Sequence, residues 1–296
     1  MTAIPPSERN SLYIWFKINE MNINIIETGN FYADGGAMFG AIPKSAWQRR
    51  YPANDVNGCI LTMRSLLIST DDGRIILIDT GAGNKHLKTL SYYRFFDLVD
   101  MEEELAKFNL HPTDITDVIL THLHFDHCGY CTRMQPDNKN LFISFPKARH
   151  WVSQTQWKNF LHPNPLEKDS FFSENMVAVE EAGLLQLITD DIKICQGIRL
   201  CLFDGHTPGQ IVPYIESSEG TYIFAGDVIP LCAHVSPTWI SAYDTHPLIS
   251  YSEKIRLLDE AVQKQQKIIY CHDAYTIMSG VKKVGEFYTA TNKERG

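Results

Sequence analysis

The chain contains no uninterrupted apolar run approaching the ~20 residues that a helix needs to cross a bilayer, so a spanning helix is not expected. Its first residues, MTAIPPSERN, lack the basic-then-apolar order of a secretory leader, and the expected compartment is the cytoplasm. Positive charge is in deficit: 27 Lys and Arg stand against 35 Asp and Glu, for a net charge of -8 and a pI near 5.8. That balance disfavours a broad basic face for nucleic acid or an anionic membrane and favours a small-molecule substrate as the partner. The 7 cysteines are odd in number and follow no disulfide-framework spacing, in keeping with a reducing compartment. Internal repeats, low-complexity tracts and long linkers are also missing, and Pro and Gly fall singly where turns are expected.

What is present is 296 residues with 44% hydrophobic content, enough for a substantial core. A single domain over residues 1–296 is the simplest organisation, with 1–20 as an N-terminal arm. The arm's apolar run, Leu12 to Phe16, is able to pack on the core or on a second subunit of a homodimer.

Asn22 to Thr28 alternates as a strand. Two β-rich segments between Cys59 and Asp79 flank Asp71-Asp72-Gly73, a strong hairpin turn signal. Leu98, Met101, Leu105 and Phe108 have helical spacing within His86 to Leu110, and Ile115 to Leu120 reads as a buried strand. A second β-rich half follows, with strands expected at Ile192 to Phe203, Ile211 to Ile215, Tyr222 to Phe224 and Ile268 to Tyr270. Helices are expected near Ser153 to Phe160 and Ser252 to Gln263. Strand groups with helices between and after them predict an α+β fold, a four-layer αββα sandwich.

Directly after the strand at 115–120, Thr121-His122-Leu123-His124-Phe125-Asp126-His127 places three imidazoles and a carboxylate within six residues. From an extended strand end His122 and His124 can point the same way, while the following turn swings Asp126 and His127 toward a second position. Imidazole nitrogen and carboxylate oxygen suit a borderline cation such as Zn²⁺, and Mn, Fe or Co would also be held. Further candidate ligands sit at other strand ends: His206 after Leu200 to Gly205, Asp227 after Tyr222 to Gly226, and His272 after Ile268 to Cys271. A lone His or Asp at a strand end is usually an ordinary loop residue. Three in the same local context are not.

These segments, with Gly205-His206-Thr207-Pro208-Gly209, Gly226-Asp227, His272-Asp273 and the upstream Ile78-Asp79-Thr80-Gly81, resemble the metallo-β-lactamase superfamily over nearly the whole chain. The resemblance implies two divalent metal ions per chain. One would lie on His122, His124 and His206, the other on Asp126, His127 and His272, with Asp227 bridging. Asp79 would orient the motif loop rather than ligate. A hydroxide shared between the cations would attack a carbonyl or phosphoryl centre, with Asp126 carrying a proton to the leaving group.

The ligand set argues against several branches. The commonest class B β-lactamases use a Cys ligand, flavodiiron oxidoreductases have a carboxylate where His124 stands, and tRNA-processing nucleases usually have Gly in place of Phe125. Asp34 to Lys44 and the stretch Gly226 to Pro230, Ala233-His234, Trp239, Tyr243-Asp244 and Pro247 are similar to quorum-quenching lactonases, and in part to methyl-parathion-hydrolase-like enzymes. Opening of an N-acyl-homoserine lactone or a related lactone is therefore the expected reaction, with phosphotriester or aryl ester hydrolysis as the alternative and a redox or binding role on this scaffold a distant third. The small acyl-homoserine lactonases carry a Tyr three residues after the bridging Asp, where this chain has Pro230, so either a different donor, His234 or a Tyr, assists the carbonyl or the substrate is a different one.

Met38, Phe39, Trp47, Phe125, His234 and Trp239 are candidates to line the substrate pocket, although aromatic residues near a core are as often packing. Cys128-Gly129-Tyr130-Cys131 has redox CxxC spacing but lies in a loop whose role the metal motif already explains. No partner pattern supports a ligand role for His86, His111, His150, His162 or His246.

Overall fold

A computed structural model describes residues 16–18, 21–134 and 140–295. The expected arm lies outside the described residues except for a short strand, Phe16–Ile18, which pairs antiparallel with the strand beginning at Met21.

Two seven-stranded mixed sheets form the centre. The first begins with the long strands Met21–Asp34 and Gly58–Thr70, then Ile75–Ile78, and continues through parallel pairings to Asp117–Ile119, Arg149–Ser153 and Leu185–Ile188. The second runs from Ile192–Cys195 and Ile198–Phe203 through Gln210–Ser217, Gly220–Phe224 and Lys267–Ile269 to a terminal hairpin, Met278–Val284 and Phe287–Glu294.

Strand periodicity explains how these layers stack. Successive side chains alternate between faces, so Leu66, Ile68, Ile76, Ile78 and Ile119 point inward to meet Ile198, Leu200, Ile211 and Phe224 of the second sheet. Their neighbours Leu67, Leu77 and Val118 point outward, against the helices Met101–Ala106 and Gln154–Leu161. Beyond the second sheet, Val212, Ile223 and Ile268 pack on Leu257, Leu258 and Ala261 of the helix Pro247–Gln263. The order is helix, sheet, sheet, helix, as the sequence pattern predicts.

Two local expectations are corrected. The helical spacing across 86–110 yields a helix only at Met101–Ala106. Arg94 and Asp97 adopt positive φ upstream, and the Asp100 carboxylate caps the helix start by accepting from Glu102 N. Phe108 still packs on the outer cluster, so its spacing reports burial rather than one continuous helix. The expected strand over 192–203 is a hairpin turning at Gly197, whose φ of 82° suits glycine. The terminal hairpin was not anticipated; its exposed Lys282, Lys283 and Phe287 blur the alternation that marks a half-buried strand.

Candidate metal centre

The strand Asp117–Ile119 ends at one edge of the sheet interface, and the chain leaves it through Leu120 and Thr121 into the short helix Phe125–Cys128. Asp79, leaving the neighbouring strand with φ 55°, clamps this exit. Its Oδ1 accepts from Thr121 N at 2.8 Å, and its Oδ2 accepts from Thr121 Oγ1 and lies 2.8 Å from His127 Nδ1. Thr80 N donates to His127 O at 2.7 Å, which ties the helix back to the same turn. Gly129 is required by close approach, because a Cβ there would stand 2.1 Å from the Ala82 carbonyl oxygen.

The other strand ends deliver the remaining groups. His206 follows Gly205, where a Cβ would meet the Ser250 backbone at 2.5 Å. Asp227 enters through Gly226 at φ 50°, and His272 is held by two backbone bonds, Thr62 N to His272 O and His272 N to Pro230 O, both 3.1 Å.

All five imidazoles are buried, and each has one nitrogen occupied away from the centre. His122 Nδ1 lies 3.1 Å from Thr121 Oγ1, His124 Nε2 lies 2.9 Å from Glu167 Oε2, and His206 Nδ1 lies 3.0 Å from Asp244 Oδ1. His127 Nδ1 faces Asp79, and His272 Nδ1 lies 2.8 Å from Thr62 O. The partner fixes which nitrogen is left for the centre. Those remaining nitrogens converge: His206 Nε2 is 3.3 Å from His124 Nδ1, and His127 Nε2 is 3.1 Å from His272 Nε2.

Asp227 faces both groups. Its Oδ2 is 3.5 Å from His206 Nε2, while its Oδ1 is 3.4 Å from His127 Nε2 and 3.1 Å from His272 Nε2. Asp126 Oδ2 lies 3.5 Å from His272 Nε2 and 3.8 Å from His127 Nε2. Ligand atoms of His122, His124 and His206 lie within 4.8 Å of one another, as do those of Asp126, His127 and His272, and of His122, His127 and Asp227.

A cation suits these residues on two grounds. The buried His122 Nε2 points inward without a hydrogen-bond partner, an expensive state unless something else occupies it. The donor set of imidazole nitrogens and carboxylate oxygens also matches a borderline divalent ion.

Electrostatics sort the histidines. Burial, with neighbouring imidazoles, holds His122 well below its ordinary value. Burial would also lower His127, but the carboxylates of Asp126, Asp79 and Asp227 outweigh it and hold that ring well above its ordinary value. Asp227 and its neighbours likewise raise His206 and His272 against burial. In return, and again against burial, those rings hold the Asp227 carboxyl well below the usual carboxylate range.

Of the pocket candidates, Met38 and Phe125 line the cavity of about 160 Å³ over the centre. Phe39, Trp47, His234 and Trp239 do not. They form an aromatic cluster beneath it, with Phe39 stacked between Trp47 and His234 at 4.9 and 5.1 Å and set edge-on against Trp239 at 5.8 Å. His234 Nε2 lies 2.8 Å from Met38 O, so this ring packs the core and cannot assist a carbonyl. The CxxC thiols are buried and pushed up by desolvation, Cys131 to about 12. His86, His111, His150, His162 and His246 join none of the ligand groups found among the described residues.

Sequence reasoning assigned no site role to Glu167 or Asp244, which lie in loops with no periodicity, contact the His124 and His206 rings and line the cavity beside them. Burial opposes charge on Glu167, but its hydrogen bonds, the one to His124 first, bring the carboxyl down to about 2. Asn159 Nδ2 and Asn164 Nδ2 donate to its other oxygen at 2.8 and 2.5 Å. Glu167→Ala is expected to free the His124 ring and weaken cation binding by roughly 10- to 100-fold, with Glu167→Gln much milder because its amide oxygen can still accept. Titration with a competing chelator measures both.

A protein-family profile described as the metallo-beta-lactamase superfamily matches residues 64–130. Across 94% of this chain and 99% of the other, the fold and sequence are similar to a Staphylococcus aureus structure described as a probable metal-dependent hydrolase, with 32% identity and a TM-score of 0.84. The chain is 26% identical over 220 residues to the N-acyl homoserine lactonase AiiA of Bacillus thuringiensis subsp. kurstaki, covering 69% of this chain and 78% of the relative. The fold is also similar to that of AidC, a dizinc quorum-quenching lactonase solved with an N-hexanoyl-L-homoserine product. That likeness has a TM-score of 0.75 at 18% identity, over 96% of this chain and 99% of the other.

Proposed function

The chain belongs to the metallo-beta-lactamase superfamily, and from that premise we propose that it is a dinuclear metal-dependent hydrolase that opens a neutral lactone, with N-acyl-homoserine lactones the leading substrates. The observation that carries the dinuclear reading is Asp227, whose two oxygens face two separate groups of imidazole nitrogens. The lactone is supported by the relatives named N-acyl homoserine lactonases. The reading takes residues 1–296 as one hydrolase domain, supported by a core that both sheets share.

His122, His124 and His206 would hold one cation and Asp126, His127 and His272 the other, with Asp227 shared between them. Two bound divalent ions, zinc foremost with manganese, iron or cobalt as alternatives, would supply Lewis acidity and bring the ionisation of water near neutrality. The chain's own contribution is to fix the geometry: Asp79, Thr121, Glu167, Asp244 and the Thr62 carbonyl hold the five rings, so little reorganisation accompanies reaction. Asp126, 12% exposed and on the cavity lining, would carry a proton on a carboxylate oxygen to the departing alkoxide. Among the described residues the cavity lining includes Phe31, Met38, Leu61 and Phe125 and no lysine or arginine, which favours a substrate that is neutral and partly apolar.

Metal-loaded protein assayed on N-acyl-homoserine lactones, aryl esters and phosphotriesters should show its highest kcat/KM on a lactone. A preference of about tenfold or more for either other class would replace the lactone with that class. No turnover of any of them by protein carrying its cations would remove the hydrolase reading.

A further inference from the structure

The strand Gly58–Thr70 has Ile75–Ile78 as its neighbour only from Leu66 onward, so at residues 62–64 the same edge is open to another partner. The segment that carries His272 takes it. Thr62 N donates to His272 O at 3.1 Å and Arg64 N to Cys271 O at 3.0 Å, and Leu61 bridges to Asp273. Chain that has just left the second sheet at Ile269 is thereby fastened to the first.

The Arg64 side chain completes this attachment. Side chains two apart in a strand share a face, so Arg64 points with Leu66 and Ile68 into the layer between the sheets, where it is buried. From there one guanidinium nitrogen donates to Tyr270 O, and the other donates to Asp273 O at 3.0 Å and to Glu27 Oε1 at 2.7 Å. The successive carbonyls of Tyr270, Cys271, His272 and Asp273 are therefore all held by residues 62 and 64 of one strand. The Asp273 carboxylate closes the turn beyond, accepting from Cys232 N, Tyr275 N and Thr276 N at 2.9, 2.9 and 2.7 Å. A guanidinium between two sheets is costly to desolvate even beside Glu27, and an aliphatic chain like its neighbours would fill the space without that cost. What the aliphatic chain lacks is a planar fork that reaches carbonyls on both sides of His272.

We infer that Arg64 is a positioning residue for the second cation, clamping the backbone on both sides of His272 and so fixing how far that ring reaches toward Asp126 and His127. Asp126 and His127 follow a strand of the first sheet and His272 a strand of the second, so their separation is set by where the two sheets are joined. Arg64 joins them at this end. The contact of His272 Nδ1 with Thr62 O sets the rotation of the ring, and Arg64 sets the backbone beneath it. Which cation Arg64 serves rests on the dinuclear reading; the attachment itself does not.

The test compares wild type with Arg64→Met, Arg64→Lys and Ile68→Ala, the last opening a cavity in the same layer at a side chain that makes none of these bonds. Competition with a chelator gives the affinity for each of two Zn²⁺ ions, and hydrogen exchange is read on the metal-free proteins. Arg64→Met should weaken one of the two ions by roughly 10- to 100-fold and leave the other within about threefold. Without metal, its amides over residues 270–276 should exchange about tenfold faster or more, with those of Ile198–Phe203 unchanged. Arg64→Lys keeps the charge without the fork, so it should show a smaller loss of the same kind, and it carries the test if the Met variant does not fold. Ile68→Ala should lower the melting temperature without singling out one ion or that segment. Arg64 variants that weaken both ions alike or neither, that leave exchange over 270–276 within about twofold of wild type, or that Ile68→Ala matches in pattern, would overturn the role. If wild type binds fewer than two ions the dinuclear reading fails, while exchange in the metal-free proteins still decides whether Arg64 holds the segment.

Discussion

Asp227→Asn is expected to lower hydrolytic turnover by about a thousandfold, equivalent to ~4 kcal/mol of transition-state stabilisation, and to reduce bound metal from near two ions per chain toward one. Among the residues assigned as ligands, Asp227 alone presents one oxygen to each imidazole group, Oδ2 toward His206 and Oδ1 toward His127 and His272. Asparagine keeps the size and one oxygen but turns the other into an amide nitrogen, which donates and cannot ligate. It also removes the negative charge that raises His127, His206 and His272. Cys271 Sγ donates to Asp227 Oδ1 at 3.2 Å, so the variant amide has a reason to place its oxygen there and its nitrogen toward His206. The cation on His122, His124 and His206 should then be the one weakened. Metal analysis beside steady-state kinetics tests this. Two ions retained with turnover within about tenfold of wild type would remove Asp227 from the shared position.

The clustering of the candidate ligands was legible because strand ends carry their side chains in a fixed direction. Once Ile115 to Leu120 reads as a buried strand, the groups that follow it have to emerge at the sheet edge. His206, Asp227 and His272 could be grouped with them because each also follows a strand, and the structure brings all seven expected groups to one place. The layers were legible for a similar reason, since inward and outward residues alternate along Gly58–Thr70 and Ile75–Ile78.

What failed to show in the sequence depends on contacts between distant loops. Glu167 is 43 residues from His124, and Asp244 is 38 from His206, with neither in a periodic segment. The aromatic residues misled for a physical reason. Phe39, Trp47 and Trp239 are as apolar as cavity-lining groups, but ring contacts centred on Phe39, which also stacks on His234, bury them beneath the floor, whereas Phe125 reaches the cavity through its place on the motif helix.

Removing the cations should lower the melting temperature by about 10 °C or more, and the gap between loaded and chelated protein should widen from pH 6 to pH 9. A free cation at a thousandfold excess over its dissociation constant contributes about 4 kcal/mol per site to the folded state, and each kcal/mol moves the midpoint of a chain near this size by roughly 2–4 °C. The pH trend comes from what replaces the cations. In the chelated protein the carboxylates still face His127, His206 and His272 and hold all three above their ordinary values, so protons take the vacated role. A histidine whose folded value is raised contributes stability that is complete below about 6.5 and is lost as pH climbs through the folded value. His122 and His124 are lowered instead, chiefly by burial, and their contribution is complete above about 6.5, so it is nearly constant over the upper part of this window. Asp227 is lowered and contributes fully throughout it. The chelated protein therefore loses stability as pH rises, while the loaded protein gains, because cations compete with fewer protons for the same nitrogens. Melting curves in buffers from pH 6 to 9, with and without chelator, measure the gap. A gap that stays constant or narrows would show that these histidines do not exchange protons for metal.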